Sequence, residues 1–136
     1  MSAEVRLEKL LQNLDPRLQG ETWVFSPMPP HRLAELADQC LCLFREREGA
    51  CAILPRVAAE RAGLEHSGAF RQITLQVHSS LDAVGLTAAV AGELAQTGIS
   101  ANVVAALRHD HIFVPEQDAQ RALQVLRGLA NRAQYT

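Results

Sequence analysis

Two histidines flank an aspartate in the segment ALRHDHIFVP, residues 106–115. Imidazole nitrogens and a carboxylate can hold a metal ion, transfer protons or bind a cationic group of a ligand. The same residues are also common at the polar tip of a β-hairpin, where an aspartate bonds to its own backbone. The chemistry of His109, Asp110 and His111 therefore depends on which elements lie beside them.

A metal centre could use His78 together with His109, Asp110 and His111. However, two histidines two residues apart in a turn differ from the helical His-x-x-x-His pattern of hydrolytic zinc sites, and no second cluster of acids or histidines supports them. The sequence also lacks a Gly-x-Ser-x-Gly motif, a phosphate-binding glycine loop and an evident carboxylate pair. We therefore predict that the chain is not an enzyme and uses no metal and no cofactor; a metal-dependent enzyme centred on the histidines is the third alternative.

The composition is that of an ordinary globular domain: 136 residues, 48% hydrophobic and 21% charged, with a net charge of -2. Arginines are scattered and Lys9 is the only lysine, so we expect no nucleic-acid partner. No apolar run approaches the roughly 20 residues of a membrane span, and the amphipathic first residues do not resemble a signal or transit peptide. We expect no membrane partner and a cytoplasmic location.

The three cysteines are Cys40, Cys42 and Cys51. Their odd number argues against a disulfide framework, and they lack the second Cys/His pair that a zinc site requires. We predict buried free thiols.

The second half of the chain predicts the element order β-α-β-β-α. Ser79 stands three residues before Asp82, which resembles a capping box at the start of a helix. The predicted elements are a strand over 70–78, a helix over 79–98, strands over 99–107 and 111–115, and a last helix capped by Asp118.

The first half predicts the same order in a shorter form, after an initial helix. A sixty-residue shift places AILPRVAAERA over IFVPEQDAQRA, so that Pro55 meets Pro115 and Arg61 meets Arg121, and the turn EGAC falls on RHDH. This predicts an internal repeat. The predicted elements are a helix over 3–14, a strand over 21–27, a helix over 31–38, strands over 40–46 and 50–54, and a helix over 56–62 that Gly63 caps.

The helix between the first two strands of the second half decides what surrounds the histidines. Such a crossover makes the two strands parallel, so the end of the first strand, the start of the helix and the RHDH turn share one end of the sheet. The free N–H groups of a helix start suit a carboxylate, and Asp110 suits an ammonium or guanidinium group. This predicts a clamp for a zwitterionic amino acid, with candidate ligand contacts at Asp110, His109, His111, His78, Ser79, Ser80, Asp82, Val84, Gly85 and Asn102.

Each candidate also has a structural interpretation. Asp110 is typical of a turn, the histidines of a solvated hairpin tip, Gly85 of close packing, and Ser79 and Ser80 of helix caps. These interpretations stay open beside ligand binding.

The segment ITLQVHSSLDAVGLTAAVAGELAQTGISANVVAALRHDHIFVP resembles an ACT domain. Nearly the whole chain resembles the uncharacterised group of small stand-alone bacterial ACT proteins, which are similar to the tandem ACT units of eukaryotic cytosolic arginine sensors. The resemblance implies an α/β (α+β) fold of two ferredoxin-like βαββα halves, with antiparallel sheets and helices on one face. We expect an N-terminal helix plus degenerate ACT-like half over 1–66 and an ACT domain over 67–136.

The same resemblance implies a regulatory protein that binds a small molecule at an interface between ACT units, and the clamp predicts that this molecule is an amino acid. In the arginine-sensor-like relatives an aspartate matching Asp110 contacts the bound amino acid, whereas the flanking histidines depart from their pattern. We expect a homodimer or higher homo-oligomer, because unpaired sheet edges tend to find partners. The second hypothesis is a structural or partner-binding oligomerisation module with no ligand.

Overall fold

The computed structural model describes residues 3–135 and contains two successive β-α-β-β-α halves after a short initial helix. The predicted order of elements is confirmed in both halves. The elements are α1 (Leu7–Gln12), β1 (Pro16–Pro27), α2 (Pro30–Leu36), β2 (Cys42–Glu46), β3 (Gly49–Pro55), α3 (Arg56–Ala62), β4 (Ser67–Leu75), α4 (Leu86–Gln96), β5 (Asn102–Ala105), β6 (Asp110–Pro115) and α5 (Ala119–Ala133).

By packing, the chain divides into two compact units. The first contains the described residues up to Gly20 and those from Arg71 onward, and the second contains Glu21–Phe70. Strands β1 and β4 contribute residues to both units. Within the first unit the strand order is β1-β4-β6-β5, and within the second it is β2-β3-β1.

Each unit has its own apolar core. In the first unit α4 buries one stripe, with Leu86, Val90 and Leu94 at four-residue spacing. That stripe packs with Leu14, which follows α1, and with residues of α1, β4, β6 and α5: Leu10, Ile73, Leu75, Ile112, Val114, Ala122 and Leu126. The core of the second unit consists of Val24, Met28, Leu36, Ala52, Leu54, Ala58, Ala59 and Leu64.

The two hairpins carry the repeat in their geometry. In the first, Cys42 pairs with Ile53 and Arg45 with Ala50. In the second, Asn102 pairs with Phe113 and Ala105 with Asp110. Every pair of the second hairpin equals a pair of the first shifted by sixty residues, so the predicted repeat holds at the level of strand register.

The prolines that follow the hairpins also match. Pro55 has φ −60° and ψ 140°, and Pro115 has φ −53° and ψ 140°. Gly63 ends α3 with φ 67°, and the N–H of Leu64 donates to the carbonyl of Ala59 at 2.9 Å, which is the predicted glycine cap.

Several element boundaries and caps differ from the sequence prediction. The capping box at Ser79 and Asp82 was wrong, because α4 begins at Leu86 and residues 76–85 form a loop. Strand β1 begins at Pro16, well before the predicted start, and α1 is shorter than predicted. Asp118 precedes α5 but makes no side-chain cap; its carboxylate pairs with Arg121 instead.

The three cysteines are free and half-buried rather than fully buried. Within residues 3–135, no helix is long and apolar enough to cross a membrane.

Candidate functional site

The loop of residues 76–85 is held from two sides. The N–H of Glu4 donates to the carbonyl of His78 at 3.0 Å, and the N–H of Ser80 donates to the carbonyl of Glu4 at 2.9 Å. Inside the loop, the hydroxyl of Ser80 accepts from the N–H of Asp82 at 3.0 Å. The segment that precedes α1 thus fixes the middle of this loop.

The loop delivers the chain into α4 through Gly85, whose φ of 101° and ψ of −14° are in the left-handed region. A Cβ at this position would lie 3.1 Å from Cδ2 of Leu7, so both the backbone angle and the available space favour glycine. No described side chain caps α4. The first N–H groups of the helix, at Leu86 to Ala88, therefore have no acceptor within it.

Asp110 is the first residue of β6, and it is only 9% exposed. Its Oδ2 accepts a hydrogen bond from the Ser79 hydroxyl at 3.3 Å. Among the described residues, the hydroxyl of Ser79 is the hydrogen-bond donor to this carboxylate. Since a buried carboxylate needs several partners to replace water, Asp110 is able to accept further bonds from a ligand cation.

The start of α4 and Asp110 line one cavity of about 470 Å³, which is within the range of small-molecule sites, roughly 300–1,000 Å³. The hairpin tip and the helix start therefore lie together, as the crossover argument predicted. The lining residues are Ser79, Ser80, Leu81, Ala83, Gly85, Leu86, Thr87, Ala88, Ala105 and Asp110. We call this the Asp110 cavity.

Sequence reasoning missed Leu86, Thr87, Ala88 and Ala105 as lining residues. Ala105 could have been found, because it is the strand partner of Asp110. The residues of the first turn of α4 could be found only from the correct start of the helix, and the capping-box pattern placed that start too early.

His111 does not line the Asp110 cavity, because neighbouring residues of a strand point to opposite faces. Its Nδ1 lies 3.0 Å from Nε2 of Gln72 and 3.1 Å from Oγ1 of Thr74, both of which are buried. Burial lowers the pKa of His111, nearby His109 lowers it further, and Asp110 opposes the shift. A neutral ring that accepts from Gln72 fits this environment.

His78 and His109 line a different space, with ring centroids 6.5 Å apart. This cleft of about 860 Å³ lies beside α1 and includes Glu4, Lys9, Asn13, Gln76, Val77 and Arg108. We call it the α1 cleft. Nδ1 of His109 is buried and has no hydrogen-bond partner among the described residues.

The remaining candidates lie outside both spaces. Asp82 and Val84 are on the exposed surface of the loop, and Asn102 is an exposed residue of β5 paired with Phe113. Ligand contact by these residues stays a prediction.

In the part of the chain that the structure describes, no three His, Cys, Asp or Glu side chains are grouped as metal ligands. His78, Asp110 and His111 face three different environments, which separates the set that the sequence suggested.

Family models decide the classification. One ACT-domain model matches residues 2–71, and a second matches residues 69–128. The chain belongs to the ACT domain family. ACT domains are typically regulatory domains that bind ligands, and the two matches agree with the two ferredoxin-like βαββα halves of the fold.

Solved structures that resemble this ACT protein range from high to low sequence identity. A Vibrio cholerae protein of unknown function, described as a possible transport protein, is 47% identical, with a TM-score of 0.81 over 91% of this chain and 95% of that one. The ligand-free regulatory subunit of aspartate kinase from Thermus thermophilus is 13% identical, with a TM-score of 0.63 over 84% and 95% of the two chains. An Agrobacterium tumefaciens protein is 16% identical, with a TM-score of 0.63 over 85% and 87%. The last two similarities show the fold alone.

A comparison with curated proteins found no match.

Proposed function

We propose that this ACT protein is a regulatory protein that binds a free amino acid in the Asp110 cavity and does not itself catalyse a reaction. The observation that carries the proposal is the placement of a nearly buried carboxylate and an uncapped helix start on the walls of one cavity. The regulatory role is supported by the family, because ACT domains are typically regulatory domains that bind ligands.

The two walls suit the two charges of a zwitterion. The α-ammonium group would donate to Asp110, which is a charge-assisted hydrogen bond. The α-carboxylate would accept from the N–H groups at Leu86 to Ala88, where the helix dipole favours negative charge. Ser79 would hold the carboxylate of Asp110 in place.

The apolar part of the lining limits the side chain of the ligand. Leu81, Ala83, Ala88 and Ala105 contribute no charge, so selectivity there depends on shape. The histidines contact other spaces and are not needed for this mode of binding.

Regulation requires the ligand to favour one conformation or assembly over another. We propose a cytoplasmic homodimer or higher homo-oligomer, in which residues 1–66 form the helix and degenerate half and residues 67–136 form the ACT domain that carries the site. The loop of residues 76–85 would transmit binding, because it lines the cavity and is joined to Glu4 through the backbone.

A second candidate function is an oligomerisation module without a ligand. Strand β2 is the last strand of its unit, and Leu43 and Phe44 on it are 38% and 58% exposed, next to Leu41 at 45%. Exposed apolar residues on an edge strand are typical of a pairing surface.

A thermal-shift panel with the twenty amino acids separates the two functions. We expect one amino acid, or a few related ones, to raise the melting temperature of the protein, because a ligand that binds only the folded state stabilises it. Asp110→Ala should abolish the rise. Asp38→Ala removes a carboxylate from an exposed position in the first half and should keep it.

No rise with any amino acid, together with a stable oligomer in sedimentation, would favour the module without a ligand. A rise that survives in Asp110→Ala would place the ligand elsewhere.

A further inference from the structure

We propose that the α1 cleft is a second binding site, for a small dianion such as phosphate or a phosphate monoester. It shares the loop of residues 76–85 with the Asp110 cavity but has a different set of charges.

Two cationic side chains line the α1 cleft. Lys9 is on α1 and Arg108 is in the turn of the second hairpin. Within residues 3–135, neither forms an ion pair with a carboxylate. In a chain whose net charge is -2, two unpaired cations in one concave space form a local positive field that attracts anions.

The single carboxylate of the cleft, Glu4, does not neutralise that field. Its Oε2 accepts from the backbone N–H groups of Val5 and Arg6, and its Oε1 accepts from the guanidinium of Arg6 at 3.3 Å. These bonds, led by the backbone N–H of Arg6, lower the pKa of Glu4 to about 2. Its negative charge is therefore already matched by Arg6, which does not line the cleft.

An imidazole of the cleft lacks a partner. Nδ1 of His109 is buried without a hydrogen bond to any described residue, and buried polar atoms in folded proteins nearly always have one. His109 lines the cleft, so a small rotation of its ring toward a bound anion would let the N–H at Nδ1 donate to an anion oxygen. His78, on the same wall, offers a second ring.

The number and type of donors point to phosphate chemistry. A guanidinium binds two phosphate oxygens at once, and an ammonium adds a point charge, so two cations together match the two charges of a phosphate. The volume of about 860 Å³ exceeds what a free ion fills, which leaves room for the organic part of a monoester.

Isothermal titration of the full chain with inorganic phosphate tests the proposal, at an ionic strength held constant with sodium chloride so that screening does not change. We expect saturable binding that weakens about tenfold or more in Arg108→Gln and in Lys9→Gln, because each removes a charge-assisted contact. Arg127→Gln is the matched control: Arg127 is an exposed residue of α5 outside the cleft, and its loss should change affinity by less than about twofold.

Heats no larger than those of sodium chloride would overturn the proposal, and so would an equal loss of affinity in Arg127→Gln. Circular dichroism checks the fold of each variant, and the two cleft variants lie on separate elements, so an unfolded one leaves the other as a test. Titration with glycerol 3-phosphate then distinguishes the sources of the dianion. Tighter binding than phosphate assigns the cleft to a phosphorylated metabolite, and weaker binding assigns it to the free ion.

Discussion

The two halves of the molecule have the same hairpin but different connections from the first strand to the first helix. In the first half, only residues 28 and 29 separate β1 from α2; in the second, residues 76–85 separate β4 from α4. The hairpin positions also differ, since Ala50 stands where the second half has Asp110. The scaffold is duplicated, whereas the carboxylate and the loop that form the Asp110 cavity occur in the second half alone.

A comparison of equivalent positions in the two halves distinguishes residues that maintain the repeated fold from residues that form the Asp110 cavity. Buried strand residues keep their apolar character in both halves: Ala52, Ile53 and Leu54 correspond to Ile112, Phe113 and Val114. At the hairpin turn, Gly49 and Cys51 correspond to His109 and His111. Substitutions of buried strand residues should therefore have similar effects on stability in the two halves. Substitutions at the hairpin turn and in the loop should have different effects in the two halves.

The largest effect is expected from cavities in the two cores. Leu54→Ala and Ile112→Ala truncate fully buried side chains of β3 and β6 and should each lower the free energy of unfolding by about 2–5 kcal/mol. Val57→Ala, at a position 57% exposed on α3, should change it by less than about 0.5 kcal/mol. Denaturant titration measures all three, and a loss below about 1 kcal/mol for either core variant would contradict equal structural roles for the two hairpins.

The next effect concerns the site itself. Asp110→Asn keeps the shape of the side chain but removes its charge, so affinity for the amino acid identified by the thermal-shift panel should fall about 30-fold or more, which is about 2 kcal/mol. The reciprocal change, Ala50→Asp, should create no second binding site, because the first half lacks the long loop. Titration calorimetry that finds two sites in Ala50→Asp would show that the aspartate alone is sufficient.

The loop can be tested through its glycine. Gly85→Ala forces an alanine into φ 101° and toward Leu7, which should destabilise the protein by about 1–2 kcal/mol. Gly92→Ala, within α4 where an added Cβ meets nothing within 4 Å, should instead stabilise it by about 0.5–1 kcal/mol. The opposite signs are the expected result in thermal unfolding, and a neutral Gly85→Ala would mean that the loop adapts.

The smallest effect is a pH dependence of stability that comes from His111. Because burial lowers the pKa of folded His111, the unfolded chain binds its proton more readily than the folded protein does. His111 therefore lowers stability as the pH falls through the ordinary imidazole range, about 6.5. His111→Gln should flatten this part of the stability profile between about pH 7 and pH 5. A steeper loss of stability in the variant would reverse the assignment.

Much of this fold could be predicted from local patterns. The shared spacing around Pro55 and Pro115 indicated two equivalent hairpins, and the crossover rule indicated that the hairpin tip lies near the start of α4. The start of α4 could not be placed correctly, because Ser79 and Asp82 mimic a cap. In the structure the Ser79 hydroxyl donates to Asp110, and the Ser80 hydroxyl accepts from the N–H of Asp82 within the loop. Helix α4 begins only after Gly85, and no local pattern in the sequence predicted the left-handed backbone conformation of this glycine.

The separation of the histidines from Asp110 was harder to predict. The sequence treats RHDH as one turn, but β6 begins at Asp110, so alternation along the strand divides Asp110 from His111. A slip of one residue in the pairing register of β6 would exchange their faces. Such a shift is decided by pairing with Ala105 and by the buried partners Gln72 and Thr74, which are distant in the sequence.

The backbone bonds between Glu4 and the loop have a practical consequence for handling the protein. A cleavage site or affinity tag fused close to residue 4 would disturb the backbone bridge to His78 and Ser80. A deletion that removed Glu4 would free the loop that forms one wall of the Asp110 cavity, although Glu4 itself does not line that cavity. Preparations tagged at the other end of the chain are therefore the sound starting material for ligand screens.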